Sequence, residues 1–266
     1  MRQAAATLPR PLLEICVEDV PGALAAARAG ADRIEYCANL EVGGVTPPVE
    51  EVRELLGQLE GADLQILIRS REGNFVYSEA EIEQMCAQIS DFEQVTADAP
   101  VTVGYVVGAI TAEGQLDKVA CERFRAAAAG KPLTFHRAFD ELSDPIAAAV
   151  WLAEHGYNRI LTTGLGVPQT SAAGVVSAAA AHADQIVERG YSLSGLAALQ
   201  KAVDQLGLRI LASGGLRPET WDKDLLAEAA LREFHLRAPW AEGEAADPAS
   251  GGVNPAVVRV MRKILS

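Results

Sequence analysis

Two short acid and thiol spellings, Glu14-Ile15-Cys16 and Glu35-Tyr36-Cys37, carry the first chemistry in this chain. In an extended strand side chains alternate between faces, so each carboxylate shares a face with the thiol two residues on. Neighbouring strands would set two carboxylates and two thiols side by side. Shared parity likewise groups Arg69 with Arg71, His136 with Asp140, and Glu233 with His235 and Arg237. An ionised carboxylate withdrawn from water costs several kcal/mol unless it is paired. Glu14 and Glu35 therefore require cationic partners, for which Arg69, His136 or an arginine at the rim are the candidates.

Two chemistries follow from these groups. Paired carboxylates beside an imidazole suit proton abstraction, isomerisation or hydrolysis, with Glu14 or Glu35 and His136 as acid and base and Asp140 holding the imidazole tautomer. Arg69 and Arg71 would then fix a negative group on a small sugar-like or anionic substrate. Ser213-Gly214-Gly215, ahead of Leu216 and Arg217, reads as a backbone cradle for phosphate, carboxylate or a sugar hydroxyl, with His235 and Arg237 adding side chains. The second chemistry belongs to the thiols. Cys16 and Cys37 are soft donors of the kind that select Cu(I). The plainer readings are buried ion pairs that fix strand register, a core histidine donating to a carbonyl, and cysteines acting as small hydrophobes. Cys86 and Cys121 fall in helical stretches and read as packing residues.

The elements that must position these groups alternate in type. Eight strand-like runs occur, at Leu12 to Val17, Arg33 to Ala38, Leu64 to Arg69, Thr102 to Ile110, Pro132 to Phe139, Arg159 to Gly164, Arg209 to Gly215 and Glu233 to Ala238. Helical stretches separate them, and Asn254 to Leu265 supplies an eighth helix. That order predicts an α/β protein, a single TIM (β/α)8 barrel over residues 12–266 behind an N-terminal tail of residues 1–11. Ser78 with Glu81 spells a capping box, Ser143-Asp144-Pro145 an N-cap with a proline at N1, and Pro218 the opening of the seventh helix. The connection between strands six and seven, residues 165–208, is enlarged and predicts two helices, over Ser171 to Glu188 and Ser194 to Gln205. Ala241 to Gly252 reads as a loop.

Composition bounds the partners. Of the 266 residues 49% are hydrophobic, enough to fill a large core, and the formal net charge of -13 opposes binding to nucleic acid, where phosphate neutralisation needs clustered Lys and Arg. No apolar run approaches the roughly 20 residues that span a bilayer. Residues 1–11 lack an apolar signal-peptide core, and four cysteines without a CxxC pair predict reduced thiols. A cytoplasmic protein with a small-molecule ligand is expected.

Seven motifs then resemble the CutC family in order. They are Leu13-Glu14-Ile15-Cys16, Gly30 to Cys37, Gly43-Gly44-Val45-Thr46-Pro47, Ile68-Arg69-Ser70-Arg71 with Asn74 to Ser78, Thr134-Phe135-His136-Arg137-Ala138-Phe139-Asp140, Arg159 to Gly164, and Glu233-Phe234-His235. The resemblance implies a cytoplasmic TIM barrel, a homodimer or higher homo-oligomer, with a role in copper homeostasis and copper bound by Cys16 and Cys37. Asn74, Arg137 and Thr162 within those motifs join the substrate-binding candidates. Asn74 stands where the family usually has Asp, Ser70 where it has Pro, Glu72 for the first of two glycines, and Arg237 at a position usually small.

Overall fold

The computed structural model describes residues 10–167, 169–171, 174–176, 190–227 and 229–266. Six parallel strands come first: β1 (Leu12–Val17), β2 (Arg33–Tyr36), β3 (Asp63–Leu67), β4 (Val103–Val107), β5 (Leu133–Phe135) and β6 (Arg159–Thr162). A small antiparallel hairpin of β7 (Gln169–Ser171) and β8 (Gly174–Val176) follows, then β9 (Arg209–Ala212) and β10 (Glu233–Leu236). The parallel strands close into a barrel, β10 pairing with β1 and β9 bridging β6 to β10. Their eight positions match the eight runs expected from the sequence.

The helices are α1 (Val20–Arg28), α2 (Val49–Leu56), α3 (Glu79–Thr96), α4 (Lys118–Ala127), α5 (Pro145–Glu154), α6 (Leu193–Val203), α7 (Asp224–Ala227) and α8 (Pro255–Ile264). Most begin at a side-chain oxygen that accepts from a first-turn N–H: Asp19, Ser78, Asp117, Asp144, Ser192 and Asn254. These caps satisfy donors that a helix start would otherwise leave unpaired. Ser78 and Glu81 form the expected reciprocal box.

Two helix expectations are corrected. Pro218 opens only a 3-10 turn, Pro218–Thr220, and the seventh helix is the short segment Asp224–Ala227. Ser171 and Gly174–Val176 lie in the hairpin and not in a helix, in keeping with the β-branched Val175-Val176 pair and Gly174. The remainder of the expected Ser171 to Glu188 helix lies outside the described residues, as does most of the N-terminal tail. Ser194 to Gln205 is helical through Val203, within α6.

Strand parity divides the molecule. Leu13, Ile15, Ile34, Tyr36, Leu64, Ile66, Tyr105, Val107, Phe135, Ile160 and Phe234 belong to the large core shared with the helices. Cys16, Cys37, Leu67 and Val106 form a separate small cluster inside the barrel. Below it the interior is polar, with Glu14, Arg33, Gln65 and Thr134 buried. Gly104 makes room there, because a Cβ would sit 2.6 Å from the Pro132 carbonyl and 2.7 Å from the Gln65 amide. Among the described residues no helix is long and apolar enough to cross a membrane.

Candidate functional site

The inward residues of β1, β2 and β10 build a charged stack. Register sets Glu14 opposite both Arg33 and His235, and Cys16 opposite Glu35. The Glu14 carboxylate accepts from the Arg33 Nε–H, and its other oxygen lies 2.7 Å from His235 Nδ1. Arg33 Nη2 donates at 2.7 Å to Glu233, whose carboxylate also meets Arg159 Nε at 3.2 Å. Arg33 and Arg159 share inward parity with Glu35 and Leu161, and the same alternation could have identified both. Glu14 is therefore paired with Arg33 and His235, correcting the expectation of Arg69 or His136.

This pairing sets protonation states. Burial works against an ionised Glu14, yet Arg33 and His235 outweigh it and hold the carboxyl at about 2. Burial equally disfavours an imidazolium at His235, but Glu35, Cys16 and Glu14 together lift it well above its ordinary value. Glu35 is pushed up, chiefly by burial. The Cys16 thiol is raised by its contact with Cys37 and by burial.

Above the stack, at the C-terminal ends of the strands, lies a cavity of about 250 Å³. Cys16, Glu35 and His235 are on its inner side, and Leu40, Leu67, Phe75 and Leu161 supply apolar wall. Arg69, His136, Arg137 and Arg237 complete the lining. Cys16 Sγ donates to Glu35 Oε1 at 3.3 Å and lies 3.9 Å from Cys37 Sγ. Ligand atoms of Cys16, Glu35 and His235 fall within 4.8 Å of one another. Soft sulfur donors so close, buried and beside an imidazole, fit a soft monovalent metal such as Cu(I).

The cavity thus gathers Cys16, Glu35, Arg69, His136, Arg137, His235 and Arg237 from the sequence candidates. Glu14 stands one layer below, and Cys37 is fully buried behind Cys16, donating to the Val17 carbonyl. Other candidates do different work. Arg71 braces its own loop, donating to Glu81 and to the Asn74 and Val76 carbonyls, and Asn74 is exposed within that loop. Neither lines the cavity. Gly214 (φ 111°) meets the Gly190 backbone so closely that a Cβ would lie 2.3 Å from its carbonyl oxygen. Ser213, Gly214 and Gly215 are absent from the cavity wall, and the buried Ser213 Oγ makes no hydrogen bond among the described residues.

Asp140 does not orient His136. Its carboxylate accepts from Thr162 Oγ1, from Thr163 N and Oγ1, and from Arg137 Nε, tying the turn after β5 to the end of β6. The reason is local: the chain bends into a 3-10 turn over Arg137–Glu141, which ends strand alternation before Asp140. His136 instead caps that turn, its Nδ1 accepting from Ala138 N–H at 3.1 Å. Thr162 likewise serves Asp140 and the Gly164 N–H and does not line the cavity. The Phe75 ring lies tilted against His136, their centroids 4.8 Å apart, and 5.0 Å beneath the Arg69 guanidinium.

A closed barrel of eight parallel strands, with convergent polar side chains at the C-terminal strand ends, defines a (β/α)8 protein. Within that class the chain matches the CutC family over residues 11–190, and it belongs to that family. It is 35% identical to the human copper homeostasis protein cutC homolog over 229 residues, 85% of this chain and 73% of that protein. A CutC family protein of Bacteroides thetaiotaomicron is 39% identical over 172 residues, 60% of this chain and 67% of its own. The crystal structure of a CutC protein from Streptococcus agalactiae superposes with a TM-score of 0.69 at 28% identity, covering 85% of this chain and 97% of that one.

Proposed function

We propose that this protein binds Cu(I) on the inner side of the barrel mouth, with the sulfurs of Cys16 and Cys37 as ligands. The observation that carries the reading is the 3.9 Å separation of two buried thiols, close enough to share one ion. Copper of this charge prefers thiolate to the harder donors nearby. Binding needs deprotonated sulfur, so the ion must displace thiol protons. The His235 imidazolium beside Cys16 offsets the negative charge that results. The name borne by the human relative supports the same function.

The reading places the chain in a reducing cytoplasm, where free thiols persist. Following the family resemblance it is a homodimer or higher homo-oligomer, and the net charge of -13 supports a small-ligand role without nucleic acid. Anaerobic Cu(I) titration against a competing chelator tests the site. Wild type should show one tight site that a Cys16→Ser, Cys37→Ser double variant of unchanged circular dichroism lacks. Equal affinity in the two proteins would remove the proposal. Light scattering on a sizing column tests the oligomer.

A further inference from the structure

Copper leaves a second set of groups in the same cavity without a task. Guanidinium and imidazole N–H groups cannot ligate a metal ion, yet four such residues line the wall: Arg69, His136, Arg137 and Arg237. Two of them are buried and carry a nitrogen that meets no hydrogen-bond acceptor among the described residues, Arg69 Nε and His136 Nε2. Because His136 Nδ1 accepts from Ala138 N–H, the ring proton sits on Nε2, and both orphan atoms are donors. A buried donor left unsatisfied is costly, so two of them on one wall favour an acceptor from outside.

Both donors are held still. Arg69 Nη1 donates to the Gly44 and Val42 carbonyls and Nη2 to the Gly73 carbonyl, while the guanidinium plane rests on Phe75. The same ring backs His136. At the rim Arg137 is steadied by Asp140, and Arg237 is exposed with no hydrogen bond or ion pair among the described residues. Three arginines converge on one concavity of a protein whose net charge is -13. Such a local reversal of sign focuses anions into a cleft. Burial and the Arg69 charge press His136 down to about 3, so it offers a neutral N–H donor.

We infer that this wall binds a small oxyanion, a phosphate monoester or a carboxylate, whose oxygens accept from Arg69 Nε and His136 Nε2 beneath the Arg137 and Arg237 side chains. The volume of about 250 Å³ admits a ligand of roughly three carbons with its anionic group. Glu35 Oε2 is buried, faces the charged His235 Nδ1 at 4.0 Å and makes no hydrogen bond among the described residues, so a ligand hydroxyl would supply one. The ligand class is therefore a short hydroxylated oxyanion, and none of the groups that take it is a thiol.

Calorimetric titration of the metal-free, reduced full chain tests this with three probes of similar size: glycerol 3-phosphate, glycerate and glycerol. One of the two anions should bind with unit stoichiometry and glycerol should not, and the anion that binds names the group recognised. Arg237→Ala, which removes an exposed side chain outside the fold's hydrogen bonds, and His136→Asn, which keeps a cap for Ala138 N–H, should each weaken that binding about tenfold. Cys37→Ser, which removes a copper ligand lying outside the cavity lining, should bind the anion as wild type does, so loss of the copper site and loss of this one are told apart. Silence from both anions, or wild-type affinity in both Arg237→Ala and His136→Asn, would overturn the inference.

Discussion

Glu14 and Arg33 form an ion pair closed off from solvent inside the barrel, each side chain about 1% exposed. Neither charge could be held there alone. Arg33 is shared with Glu233 and Glu14 with His235, so the pair is the centre of a chain of alternating charges crossing from β2 through β1 to β10.

Breaking that centre should cost more than replacing it. Arg33→Met leaves Glu14 with His235 alone and is expected to destabilise the fold by about 3–5 kcal/mol in urea denaturation. Adding Glu14→Gln should return a large part of that loss, since the uncompensated charge disappears. A double variant as unstable as the sum of both singles would contradict a coupled pair.

Gly108 lies against His136, where a Cβ would stand 2.6 Å from ring atoms Cε1 and Nδ1. Gly108→Ala should force the imidazole off its position at an overpacking cost of about 1–3 kcal/mol. The readout is a lowered Tm.

Acid should act on His136. Its pKa falls from 6.5 to about 3 on folding, so the folded state prefers the neutral ring. The contribution to stability is complete above pH 6.5 and is lost as pH falls toward 3, because the unfolded chain takes up the proton first. Wild type should lose up to ~1.4 kcal/mol more per pH unit across that window than His136→Asn, which cannot titrate. Parallel slopes in denaturation at pH 7, 6, 5 and 4 would contradict it.

The thiols should separate by exposure. Cys86 is half-buried on α3, whereas Cys16, Cys37 and Cys121 are buried. Ellman's reagent on the native protein is expected to label Cys86 first, and Cys86→Ala should remove the fast phase. Full labelling of Cys121 should await unfolding.

Much of the barrel was legible because its signals are short-range. Short β-type runs between helical stretches marked the strands, and Ser78 and Asp144 marked helix starts. Cys16 and Glu35 were readable as inward on parity alone. Arg71 and Asp140 were not readable in this way, since each lies past the end of its strand, where loop geometry replaces alternation. The orphaned donors of Arg69 and His136 were equally hidden, for a missing partner is a property of surroundings.

The chain alone determined the order of strands and helices, the face each strand residue takes, and the pairing of acid with thiol, all consequences of local backbone geometry. Only the closed barrel decided which residues meet. Parity tells inward from outward, but the stagger between neighbouring strands sets depth, and depth put Glu14 beside Arg33 and His235 while lifting Arg69 and His136 to the mouth.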